Sequence, residues 1–303
     1  MNQWKKAGIV CCSDPLPDSF FSQAESLCTV LASLGIMTVL SDAVFASDLH
    51  GKNAMKAKAD ALMQMAEDAE ISMIFDISGG DFANGVLPYL DFSVFAEHPK
   101  PIFGYSDLTV LLNAVYQKAG TASVLYSVRQ LTGKHAEVQT DRFLQFLQGN
   151  GTPLFSPEWT FVQGEWMSGI LIGGNIRCLL KLAGTPYFPE CGGAVLFLES
   201  RSGGEGRIRA YFNQLLCMGV FSKISGVLLG TFTELEAVYG ENAPQKLLLE
   251  ILQNHQIPIA KTKMVGHGSD SCALPIGIPV SMHAQKASYL RFAHHADYDI
   301  ISL

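Results

Sequence analysis

A regular alternation in the first half of the chain constrains the fold more than any other feature. Short apolar runs take turns with amphipathic segments of helical spacing. Ala7–Cys12 reads as a strand, and Ser22–Leu34 sets Ala24, Leu27, Leu31 and Leu34 on one helical face. Gly35 then supplies a C-terminal stop. Met37–Leu40 is strand-like, Asn53–Glu70 reads as a helix, and Ile71–Ile77 and Pro101–Tyr105 are two further apolar strands. Such alternation implies a parallel sheet covered on both faces.

The pattern changes between about Gly133 and Gly164, where Gly149-Asn150-Gly151, Pro153 and Pro157 read as a linker with a helix over Val138–Leu147 at its front. A second alternation follows. Helices are expected over Asn175–Leu182, Ile208–Met218 and Ala243–Asn254, and strands over Ala194–Glu199 and Gly226–Gly230. The tail from Ala273 to Leu303 is made of short strand-like pieces. The expected organisation is an N-terminal α/β domain over 1–135, a linker over 136–168 and a C-terminal domain over 169–303. No internal repeat is visible.

Of the 303 residues, 48% are hydrophobic and 16% charged, which suits a globular chain with a real core. The formal charge of −7 and the scattered Lys and Arg argue against nucleic acid and against an anionic membrane surface. No apolar run reaches the roughly eighteen residues of a membrane span. The run after Lys5-Lys6 is short and ends at Ser13-Asp14-Pro15, so it reads as a strand and not a targeting signal. The seven cysteines are odd in number and form no Cys-x-x-Cys pair, which fits small apolar core residues in a reducing, cytoplasmic compartment.

The segment Pro101-Ile-Phe-Gly-Tyr-Ser-Asp-Leu-Thr109 carries the most chemical information. A strand runs into Gly104, and an amphipathic helix follows through Leu108, Leu111, Leu112 and Val115. Ser106 therefore sits at a sharp strand-to-helix turn, beside amides at a helix start, as a nucleophile elbow requires. The second glycine of the α/β-hydrolase elbow is absent, because Leu108 stands in its place. Two readings remain: Ser106 or Asp107 as a helix N-cap, and Ser106 as a nucleophile. Ile77-Ser78-Gly79-Gly80-Asp81 is a second turn after a strand. It reads either as an ordinary tight turn or as a loop whose Gly80 amide meets an oxyanion beside that of Asp107.

A serine nucleophile needs a base, and the chain has eight histidines. His50, His98, His135 and His255 lie in polar contexts, His283 in a strand-like piece, and His294 and His295 in the tail. His267 differs in standing between Gly266 and Gly268 after an apolar stretch. Glu199, at the end of the strand Ala194–Leu198, is the leading carboxylate to orient an imidazole, with Asp107 and Asp270 as rivals. A solvated strand end is the plain alternative for Glu199.

Five segments together resemble the LD-carboxypeptidase family of serine peptidases, which includes muramoyltetrapeptide carboxypeptidases and microcin C immunity peptidases. They are Gly79-Gly80, Gly104-Tyr105-Ser106-Asp107, Gly173-Gly174-Asn175 with Gly184-Thr185-Pro186, Leu196-Phe197-Leu198-Glu199, and Gly266-His267 followed by Leu274-Pro275-Ile276-Gly277. The resemblance lies in their order and spacing over most of the chain. It implies a catalytic Ser106, Glu199 and His267, an oxyanion hole from Gly80 and Asp107, and no metal or cofactor. The implied fold is α/β, an N-terminal flavodoxin-like parallel-sheet domain plus a C-terminal mixed α/β domain with a β-rich, barrel-like portion. The site would lie between the two, usually in a homodimer.

The function implied is hydrolysis of the amide bond before a terminal D-amino acid of a murein tetrapeptide. The alternatives are cleavage of a peptide–nucleotide conjugate and a non-enzymatic ligand-binding role. Gly79, Asn175 and Arg209 are expected substrate contacts, with Arg201 and Arg207 as further cations for a substrate carboxylate. The chain departs from the family pattern at Ser78, where Arg is common, at Ser200, where Asp is common, and at Arg209-Ala210, where an acid-Arg pair is frequent. These changes bear on the substrate and leave the three catalytic candidates intact.

Overall fold

The computed structural model describes residues 4–14, 21–45, 52–253, 255–284 and 291–292. His50, His294 and His295 lie outside the described residues, as does much of the tail.

The first half builds β1 (Lys6–Val10), α1 (Phe21–Ser33), β2 (Met37–Leu40), α2 (Lys52–Glu67), β3 (Met73–Asp76), α3 (Phe92–Glu97), β4 (Ile102–Gly104), α4 (Thr109–Ala119) and β5 (Ser123–Leu125). The five strands pair in parallel in the order β2-β1-β3-β4-β5. This is the flavodoxin-like order, and it brings the carboxyl ends of β1, β3 and β4 to one edge. β3 and β4 are buried along their whole length, as strands covered on both faces must be.

The stretch expected as a linker holds ordered structure. α5 (Ala136–Leu147) and α6 (Thr152–Phe155) place Phe143, Phe146 and Phe155 in one apolar cluster with Phe75 and Phe103 of the first sheet. β6 (Thr160–Gln163) then forms an edge of the second sheet. The glycines and prolines that read as a tether are the turns between these short elements.

The second half adds β7 (Trp166–Asn175), α7 (Ile176–Leu180), β8 (Val195–Ser200), α8 (Glu205–Cys217), β9 (Gly226–Phe232), α9 (Thr233–Tyr239), α10 (Ala243–Leu252), β10 (Ile259–Lys261), β11 (Leu274–Ile276), β12 (Pro279–His283) and β13 (Arg291–Phe292). The second sheet has the order β13-β12-β7-β8-β9-β10-β6 and curls as a half-barrel. Its centre, β7 through β10, is parallel, and β6, β12 and β13 join antiparallel.

β11 does not stay with its neighbours in sequence. It returns to the first sheet and pairs antiparallel with β5, closing that edge. A shared apolar cluster also joins the halves, with Leu108 and Leu112 on one side and Leu171, Phe197 and Leu228 on the other. Buried Asn113 of α4 reinforces the junction. Its Oδ1 accepts from Gly173 N at 2.8 Å, and its Nδ2 donates to Gly173 O at 2.9 Å. These contacts tie α4 to β7 across the junction of the two sheets.

Candidate active site

Ser106 stands between β4 and α4, in a left-handed conformation with φ +57°. Gln253 is the only other non-glycine with positive φ among the described residues. Such a backbone costs about 1–3 kcal/mol and persists only where its surroundings impose it. Close packing does so here. A Cβ at Gly104 would come within 2.7 Å of Leu108 Cβ, so only glycine lets the helix sit this tightly on the strand end. Leu108, which breaks the usual elbow pattern, is the residue that fills that contact.

The imidazole of His267 bridges two groups. Its Nε2 lies 3.1 Å from Ser106 Oγ, and its Nδ1 lies 2.7 Å from Glu199 Oε2. A carboxylate only accepts hydrogen bonds, so Nδ1 carries the proton and Nε2 is left as the acceptor facing the serine. Glu199 is fully buried at the end of β8, and its second oxygen accepts from Asn175 Nδ2 at 2.9 Å. Tyr105 packs edge-on against the imidazole, with ring centroids 5.1 Å apart. Burial, then the nearby Glu199 charge, pushes the Tyr105 phenol well above its ordinary range and keeps it neutral. Its buried hydroxyl lies beside Glu199 and Ser271 without a well-formed hydrogen bond to either.

The His267 loop is fixed from both sheets. Thr231 N of β9 donates to Val265 O at 2.9 Å. From the other side, His135 Nδ1 lies 2.8 Å from Ser269 Oγ, Gln139 Nε2 of α5 donates to Ser271 O at 3.0 Å, and Arg142 donates to Asp270 O at 3.1 Å. The polar setting of His135 in the sequence is explained by this anchoring.

Of the rival carboxylates, Asp107 is committed elsewhere. Its buried side chain accepts from Ser13 Oγ at 2.6 Å and Ala83 N at 2.9 Å, and pairs with Lys181. Asp270 is exposed. Gly80, with φ +121°, lies in the loop that follows β3, and Gly79 O accepts from Asp14 N at 3.0 Å.

Two expected substrate contacts have partners within the chain. Asn175 is buried, with its Nδ2 on Glu199 and its Oδ1 accepting from Cys178 N at 3.3 Å, so its amide braces the carboxylate and caps α7. Arg209 on α8 pairs with Glu205 at 2.9 Å and Glu250 at 3.0 Å, which commits its guanidinium to the surface of that helix. Arg177 and Lys181, which the sequence reading passed over, instead contact the Gly80 and Asp107 loops. Their signal was a pair of cations four residues apart, on and just after the short helix that follows the Gly-Gly-Asn turn. Among the described residues no cluster of His, Cys, Asp and Glu is arranged to hold a metal, and no helix is long and apolar enough to cross a membrane.

A hydrogen-bonded serine, imidazole and carboxylate at the carboxyl ends of sheet strands can activate a hydroxyl for acyl transfer. This fold and site define a two-sheet α/β protein with hydrolase-like chemistry. Profiles of the LD-carboxypeptidase N-terminal domain and C-terminal domain match residues 7–126 and 168–282. The chain belongs to the LD-carboxypeptidase family, and with it to the peptidases. A probable murein peptide carboxypeptidase of Bacillus subtilis is 27% identical, over 96% of this chain and 92% of its own. The microcin C7 self-immunity protein MccF of Escherichia coli is 25% identical, over 78% of each chain. The solved muramoyltetrapeptide carboxypeptidase of Oxalobacter formigenes superposes with a TM-score of 0.79 at 22% identity, over 96% of this chain and 99% of that one.

Proposed function

We propose that the chain is a serine carboxypeptidase that removes the terminal D-amino acid of a murein tetrapeptide. The observation that carries this reading is the continuous path from Ser106 Oγ through His267 to Glu199, at 3.1 Å and 2.7 Å.

Ser106 Oγ attacks the amide carbonyl carbon as its proton passes to His267 Nε2. The backbone N–H groups of Gly80 and Asp107 receive the oxyanion. The C–N bond breaks, and the imidazolium returns the proton to the departing amine. Water, deprotonated by the same imidazole, then attacks the acyl-enzyme and frees Ser106. Glu199 keeps the imidazole in the productive tautomer and stabilises its cation.

The test is release of D-alanine from a diaminopimelyl or L-lysyl tetrapeptide. Turnover by the wild type that drops at least about a thousandfold in Ser106→Ala supports the reading. A wild type inert on both peptides, yet active on a peptide–nucleotide conjugate, would move the substrate to the alternative class. All seven cysteines are free, and we place the reaction in a reducing cytoplasm and in a homodimer, which sedimentation would check.

A further inference from the structure

The two loops that supply the oxyanion amides come from different strands. Gly80 follows β3 and Asp107 follows β4. Cations on and just after α7, a helix of the other sheet, hold both. Arg177 donates to Gly80 O at 3.1 Å and pairs with Asp81. Lys181, four residues on and so on the same helical face, donates to Asp81 O at 2.8 Å, reaches Asp81 Oδ1 at 3.4 Å and pairs with Asp107. The remaining Asp107 oxygen collects Ser13 and Ala83 from the loops after β1 and β3.

The geometry points to Arg177 and Lys181 as positioning residues, a cation clamp that fixes the Gly80 and Asp107 amides relative to each other from across the sheet boundary. This inference rests on the oxyanion role proposed above.

Three features separate a clamp from a receptor for the substrate's carboxylate. An ammonium has three N–H donors, and those of Lys181 meet three acceptors, Asp81 O, Asp81 Oδ1 and Asp107 Oδ1. The two cations are matched by the two carboxylates of Asp81 and Asp107, so the group offers no net charge to an anion. The Asp107 carboxyl is completely enclosed and Lys181 is only 18% exposed, so water screens this contact weakly. Preorganised donors work only while their spacing holds, and a displacement of about 1 Å costs on the order of a hundredfold in rate.

The test is the second-order rate at which a fluorophosphonate labels Ser106, because phosphonylation also loads negative charge onto the oxyanion donors and needs no peptide substrate. Lys181→Met is expected to label about a hundredfold more slowly than wild type while reaching the same final stoichiometry. Lys181→Arg, which restores the charge, is expected to recover to within about tenfold. Arg177→Gln, at the more exposed end, is expected to slow labelling about tenfold and keeps the test open should Lys181→Met fold poorly.

Wild-type labelling rates in both Lys181→Met and Arg177→Gln would overturn the clamp. Reduced final stoichiometry in Lys181→Met would mark a folding defect of that variant and pass the decision to Arg177→Gln, whereas full stoichiometry with no recovery in Lys181→Arg would reject the clamp. A wild type that takes no label, or label that persists in Ser106→Ala, would instead remove the nucleophile reading, and the clamp with it.

Discussion

Asn175 Nδ2 donates to Glu199 Oε1 across 2.9 Å, and the two residues face each other in register on adjacent parallel strands. The imidazole thus rests on a carboxylate that is itself held. Asn175→Ala is expected to lower kcat about tenfold to a hundredfold, as loss of a hydrogen bond to a buried charge does. Asn175→Asp is expected to cost more, because it sets a second acid against Glu199. KM is expected to stay within about twofold in both. Steady-state kinetics check this, and a change confined to KM would return Asn175 to the substrate.

Tyr105 gives a stability prediction. Its hydroxyl is buried beside Glu199 and Ser271 and makes no well-formed hydrogen bond with either. An unmade buried hydrogen bond costs about 1–3 kcal/mol. Tyr105→Phe keeps the ring against His267 and removes the unpaired group, so thermal unfolding is expected at the wild-type temperature or higher. A clear fall in Tm would show that the hydroxyl has a partner.

Asp76 gives a pH dependence. It accepts from Cys12 N at 2.8 Å and Ser78 N at 2.9 Å, yet burial outweighs these bonds and raises its pKa. The folded chain therefore binds its proton more tightly than the unfolded chain. Stability is lost as pH rises from the ordinary carboxylate value of about 4 through the raised folded value. The difference in Tm between wild type and Asp76→Asn is expected to shrink over that window and then level off. A difference that widened with pH would contradict the sign.

Gly174, with φ +142°, is pressed against α4, and a Cβ there would lie 2.4 Å from Thr109 Oγ1. That hydroxyl accepts from Asn175 N at 2.9 Å. Gly174→Ala is expected to destabilise by about 2 kcal/mol or more, through strain and loss of this contact, and to lower kcat by shifting Asn175. Denaturant unfolding and kinetics on the same variant check both effects.

Much of the fold was legible. Alternating apolar runs located β1 to β4, helices between strands pointed to a parallel first sheet, and the flavodoxin-like order came only from the family resemblance. β5, β6 and β10 were not read as separate strands. The return of β11 to the first sheet was also hidden, since nothing local to Leu274–Ile276 names β5 as its partner. At the site, Ser106, Glu199 and His267 were singled out by ordered resemblance; local residues alone left the helix-cap and strand-end readings open. The partners that Asn175 and Arg209 find within the chain were hidden, because a sequence position does not reveal which neighbour a side chain faces. Lys181 meets Asp81 and Asp107 across 100 and 74 residues of chain, a pairing that only the folded structure brings together.

The central claim is that Ser106 is the nucleophile. The most direct measurement is peptide mapping of the protein after reaction with a fluorophosphonate, in wild type and in Ser106→Ala. One adduct on the peptide containing Ser106, absent from Ser106→Ala, is the expected result. An adduct at another residue, or labelling of Ser106→Ala at the wild-type level, would contradict it.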